Sequence, residues 1–136
     1  MNLSSQQAIQ ALKAGEARAQ ELNEPSSLAI VDAGGNLIAF LRTENATFGT
    51  AEIAINKAYT SSAFKVRTAD LYADAQPGGE IYGLQNTAAR PFVVFGGGVP
   101  VFVNGQLICS VGVSGGPVSA DVQISDAMAI SISSSF

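Results

Sequence analysis

Residues 95–116 read FGGGVPVFVNGQLICSVGVSGG, two strongly β-forming runs that meet at Asn104-Gly105. A two-residue type I′ turn needs positive φ at both central positions, and Asn-Gly between apolar runs is the strongest short-range hairpin signal. Gly96, Gly97 and Gly98 precede the first strand, and Ser114, Gly115 and Gly116 follow the second. Pairing across the hairpin puts both glycine segments at one end of the ribbon. Bare backbone there serves either tight packing or the approach of a ligand.

Working outward, Ser4 or Ser5 is the N-cap of a first helix that carries Ala8, Ile9, Leu12, Ala19 and Leu22 at helical spacing and stops before Pro25. Residues 28–32 (LAIVD) and 37–42 (LIAFLR) form a second hairpin around Ala33-Gly34-Gly35-Asn36. Asp32 is placed there to cap the turn. Gly49 precedes a second helix with a small-residue stripe of Ala51, Ala54, Ile55, Ala58, Ser62 and Ala63, which allows close packing. Residues 66–91 are broken by Pro77-Gly78-Gly79 and Arg90-Pro91 and read as loops with one or two short helical turns, beginning near Thr68-Ala69-Asp70-Leu71. PFVVF, VPVFV and QLICSVGV follow as three strands, and a last helix starts near Ser119-Ala120-Asp121, with Val122, Ala129 and Ile130 periodic and a fraying tail, ISISSSF. The order α-β-β-α-β-β-β-α, joined mostly by hairpins, predicts one α+β domain over residues 1–136, a mainly antiparallel five-stranded sheet flanked by helices.

Charged residues make up 13% of the 136, about half of what a soluble domain ordinarily carries, which favours a homo-oligomer that hides part of the surface. A net charge of −4 and the lack of any basic run argue against nucleic acid. No apolar run reaches membrane-spanning length, and MNLSSQQAIQ has no signal-peptide pattern, so cytoplasm is the default compartment. The single cysteine, Cys109, falls inside a strand and reads as a buried thiol.

The elements D-x-G-G-x-L (Asp32 to Leu37), K-A-x-T (Lys57 to Thr60), G-G-x-P (Gly97 to Pro100) and G-V-S-G (Gly112 to Gly115) occur in an order that resembles the GlcG/HbpS family, nearly end to end. The family also includes the C-terminal domains of PduO-type proteins. The resemblance implies a profilin-like fold with five antiparallel strands, assembly into dimers and larger rings or octamers, and a haem-binding capacity known among members.

The chain has no histidine, which removes the commonest general base, metal ligand and haem ligand together. No metal site is expected. Lys57, Thr60 and Ser61 share one helical face by i, i+3, i+4 spacing, and Lys57 is either solvated, paired with Glu52 or Glu44, or directed at the Gly96–Gly98 loop. Asp121 either complements the dipole of the last helix or, as the resemblance implies, faces the pocket. The candidate ligand-binding set is therefore Arg42, Lys57, Thr60, Ser61, Gly96, Gly97, Gly98, Ser114 and Gly115, for a small carboxylate or a tetrapyrrole such as haem. If the protein is an enzyme of small-molecule metabolism, Lys57, Asp121 and Glu52 would carry the chemistry. For haem, Tyr59 and Tyr72 are the axial candidates, within an apolar slot between subunits that also draws on Phe64 and Tyr82. A purely structural assembly protein is the third reading.

Overall fold

The computed structural model describes all 136 residues. The elements are α1 (Ser5–Leu22), β1 (Ser27–Asp32), β2 (Leu37–Arg42), α2 (Gly49–Phe64), β3 (Gly98–Val103), β4 (Gln106–Ser114) and α3 (Val118–Ser134). Three short 3₁₀ turns, Thr68–Leu71, Ala73–Ala75 and Leu84–Asn86, punctuate the irregular segment between α2 and β3. The sheet has four strands in the order β2-β1-β4-β3, every pair antiparallel.

The expected fifth strand, PFVVF, does not form. Residues 92–95 run along α2 instead of adding to the sheet: the Val93 amide donates to Thr60 Oγ1 at 2.9 Å, and Phe92 packs edge-on against Phe64 at 4.8 Å. Pro91 at its start and three glycines at its end fit this path better than a ladder, since proline donates no hydrogen bond. The expected fraying of α3 also fails, because Ile132 is fully buried in the core and the helix is held to Ser134. Ile9 and Ile130, in contrast, are half or more exposed despite their helical periodicity.

Both hairpins form where the turn residues placed them. Asn104 and Gly105 take φ of 52° and 78°, as a type I′ turn requires. Asp32 Oδ1 accepts from the Gly34 and Asn36 amides, which holds its carboxyl below the ordinary 3.8. Ser4 closes a capping box with Gln7 at the start of α1.

The two faces of the sheet are packed differently. Leu28 and Ile30 of β1 and Val111 and Val113 of β4 point to one side, where α1 and α3 contribute Ala8, Ala11, Ile124, Met128 and Ile132 to the main core. On the other side Ala29 and Val31 meet Ala54 and Ala58 of α2. The alternation of β4 gives this second side only Ser110, Gly112 and Ser114, so α2 lies very close to the sheet. A Cβ built on Gly112 would overlap the Ala54 carbonyl oxygen and sit 2.6 Å from the Ala58 nitrogen. Close approach also joins α1 to α3, where a Cβ on Gly15 would lie 2.7 Å from Met128 Cγ.

Candidate functional site

Where β4 ends and β3 begins, α2 sends Lys57 around the end of the sheet to the first turn of α3. Lys57 is the largest fully buried side chain in the protein. Its Nζ donates to Val113 O at 2.8 Å and to Asp121 Oδ2 at 2.9 Å, and lies 4.9 Å from the centroid of the Phe95 ring. Asp121 is equally enclosed, 2% exposed, and its Oδ1 has no hydrogen-bond partner. The amides of Gly115 and Gly116 favour its ionised form without closing a hydrogen bond onto Oδ1. Burial drives the two groups toward neutrality, the lysine downward from 10.5 and the carboxyl upward from 3.8, and their mutual attraction opposes both shifts.

Of the alternatives for Lys57, the geometry selects the glycine loop and excludes pairing with Glu52 or Glu44; its ionic partner is Asp121, which helical spacing does not reveal. A Cβ on Gly97 would stand 2.7 Å from Lys57 Nζ, and one on Gly98 would stand 2.5 Å from Lys57 O and 2.8 Å from Ser61 Oγ. Gly96 is pressed against Val118 and Val122 in the same way. The three glycines are explained by packing. The Gly98 amide donates to Thr68 Oγ1 at 2.8 Å, and the Gly97 carbonyl accepts from Val113 N at 2.9 Å. Thr60 bonds to Asn56 O and receives Val93 N, so its hydroxyl is engaged in holding the 92–95 segment. Ser61 Oγ is buried without a partner.

The remaining candidates fall elsewhere. Arg42 ends the edge strand β2, exposed, and is separated from Ser114 by β1, since both are register partners of Ser27. Glu52 is exposed on α2. Ser114 is buried, while Gly115 is exposed and approaches Pro25 and Ser26. Tyr59 does not reach an open slot: its ring rests on Gly35, stacks with Phe92 at 6.1 Å and is covered by the Arg90 guanidinium at 3.8 Å. Tyr82 is exposed and Phe64 belongs to the Phe92 stack. Cys109 is buried, and burial pushes its thiol up to about 12, so no thiolate is available.

Tyr72 alone among the haem candidates lines a groove. That cavity, of about 660 Å³, lies between Tyr72 and Gln76 on one side and Val94, Phe95, Val118 and Val122 on the other. Tyr72 is the one ionisable group in its wall. The floor lies over the Lys57–Asp121 pair, because Phe95 both lines the groove and caps the ammonium. Sequence patterning missed this groove, since its walls come from the 3₁₀ turns, the 92–96 segment and α3, which share no periodicity. No helix is long and apolar enough to cross a membrane.

The chain is 43% identical over 109 residues to a 15.0 kDa protein encoded between dhaT and dhaS in Citrobacter freundii, covering 80% of this chain and 77% of that one. It is 37% identical over 126 residues to the corrinoid adenosyltransferase PduO of Citrobacter freundii, covering 93% of this chain but only 38% of PduO. Among solved structures, the PduOC–haem complex superposes with a TM-score of 0.93 at 36% identity, covering 97% of this chain and 96% of that one. The family described as haem degrading protein HbpS-like matches residues 3–129. By sequence and by fold, the chain belongs to the HbpS-like family.

Proposed function

We propose that this protein is a small-ligand-binding module that holds haem or a related tetrapyrrole in the Tyr72 groove. The observation that carries the reading is the combination of apolar walls with a single ionisable phenol in a cavity of about 660 Å³, within the size range of ordinary ligand sites. Val94, Phe95, Val118 and Val122 offer a surface for a flat macrocycle, and Tyr72 Oη is an oxygen ligand of a type that iron accepts. The bound group would supply its iron chemistry, while the apolar walls would exclude water and Tyr72 would hold the iron through its phenol oxygen. The likeness to the haem-bound PduOC structure supports this assignment. Nothing in the match supports carrying over adenosyl transfer, since this chain spans little more than a third of PduO. Lys57 has no free charge with which to hold a carboxylate, because Asp121 already neutralises it.

We infer further that the protein is a homo-oligomer. Phe48, Tyr82, Ile130 and Leu37 are each more than half exposed on a surface poor in charge, an arrangement that subunit contacts would cover. Light scattering on the purified protein decides this.

Haemin titration tests the ligand. The native protein is expected to develop a sharp Soret band that saturates at a simple ratio of haem to subunit. Tyr72→Phe is expected to lose the phenolate spectral signature and at least about tenfold in affinity, the scale seen when a contact that fixes a metal is removed. A featureless rise in absorbance, or a Tyr72→Phe variant that titrates like the parent, would overturn the assignment.

A further inference from the structure

We propose that Arg90 anchors a second binding site, which takes a singly charged carboxylate carried on an apolar body. Sequence patterning treats Arg90 only as the residue before a proline. In the structure it is a half-buried cation held from two directions. Its guanidinium carbon lies 3.8 Å from the centroid of the Tyr59 ring, and Tyr59 is itself stacked on Phe92 with an interplanar angle of 13°. Its Nε donates to Asn56 Oδ1 at 3.1 Å, and Asn56 is only 7% exposed. Stacking from one side and a hydrogen bond along one edge fix the plane of the fork.

No acceptor other than Asn56 Oδ1 is hydrogen-bonded to Arg90. Arg90 makes no ion pair; the protein's three salt bridges involve Arg18, Lys57 and Arg67. Of a guanidinium's five N–H donors, only Nε–H is engaged here, which leaves both Nη groups for a bidentate partner. Arg90 borders a cavity of about 570 Å³ with Glu52, Ile55, Asn56 and Pro91. Because Asn56 Oδ1 accepts from Arg90, its Nδ2 is left as a second donor in the same wall.

The class of ligand follows from the surroundings. Glu52, Asn56 and Pro91 also line an adjoining cavity of about 440 Å³, whose further wall includes Ile53, Phe92 and Phe95. An anion at Arg90 would therefore extend its body over apolar side chains. Glu52 sits in the same wall and the whole chain carries −4, so a doubly charged phosphate would be repelled more strongly than a carboxylate. The site rests on no part of the haem reading, and either can fail alone.

Benzoate is a suitable probe, with neutral benzamide as its isostere, followed by ¹H–¹⁵N spectra of the native protein at constant ionic strength. Benzoate is expected to move the amide signals of Glu52, Asn56, Ala89 and Arg90 in a saturable way, and benzamide to leave them in place. Arg90→Lys keeps the charge but loses the fork and the stack, and should weaken binding by about fivefold or more. Glu52→Gln removes the opposing charge and should tighten it severalfold, a gain that a merely structural role for Arg90 does not produce. Equal shifts with benzamide, unchanged affinity in Arg90→Gln, or no shift up to about 50 mM benzoate, weaker than any specific site, would each overturn the proposal.

Discussion

Lys57→Met is expected to destabilise the fold by about 3–5 kcal/mol, the cost of leaving one member of a buried ion pair without the other. Methionine replaces the lysine stem at similar volume, so little of the loss comes from a cavity. What remains is Asp121, 2% exposed, with one oxygen already lacking a partner and the other now abandoned. Asp121→Asn should cost a comparable amount by stranding the ammonium beneath Phe95. Replacing both, as Lys57→Met with Asp121→Leu, should recover most of the loss, since apolar pairs commonly match buried ion pairs in stability.

The two single variants should respond to pH in opposite directions. Burial raises the Asp121 carboxyl above 3.8, and without Lys57 it rises further. Between 3.8 and that raised value the folded state binds more protons than the unfolded state, so Lys57→Met should regain stability as pH falls toward 3.8. Burial lowers the Lys57 ammonium below 10.5, and without Asp121 it falls further. There the unfolded state binds more protons, so Asp121→Asn should regain stability as pH rises toward 10.5. Urea unfolding in mild acid, at neutrality and in alkali measures both slopes. Single variants within about 1 kcal/mol of the parent, the worth of an exposed pair, would mean that the two charges are not buried together.

How much of this was legible in the sequence depends on which link carried it. The hairpins were, because Asn104-Gly105 and the Asp32 turn act locally through backbone conformation and short hydrogen bonds. The shared face of Lys57, Thr60 and Ser61 was legible from helical spacing, and all three are fully buried. PFVVF was not, because its composition suits a strand and only the tertiary competition between the edge of β3 and the flank of α2 decides its path. The pairing of Lys57 with Asp121 joins residues 64 apart in sequence, and a lysine that is buried looks like one that is solvated until its surroundings are known. Arg90 lay outside every pattern, since Tyr59 and Asn56 become its platform and partner only through the turn of chain that follows α2.

Gly112→Ala should be the most damaging single methyl group that can be added to the sheet, at about 3 kcal/mol or more, the upper end of overpacking costs. The clash is with the backbone of α2: the new Cβ would overlap the Ala54 carbonyl oxygen and approach the Ala58 nitrogen to 2.6 Å, and neither can rotate away. The only relief is to push α2 off the sheet. Gly105→Ala provides the contrast, since nothing lies within 4 Å of its Cβ and the penalty is confined to a φ of 78° in the turn, about 1–2 kcal/mol. Displacing α2 has a second effect. Lys57 lies one residue before Ala58, so lifting that turn draws its ammonium away from Val113 and Asp121. The double variant Gly112→Ala with Asp121→Asn should therefore lose less than the sum of the two single losses, because the first change has already loosened the pair that the second one breaks. Thermal and urea unfolding of the two single variants and the double variant measure the coupling. Strict additivity would mean that α2 absorbs the methyl group without moving Lys57, and that the close approach at Gly112 and the ion pair are separate features of the fold.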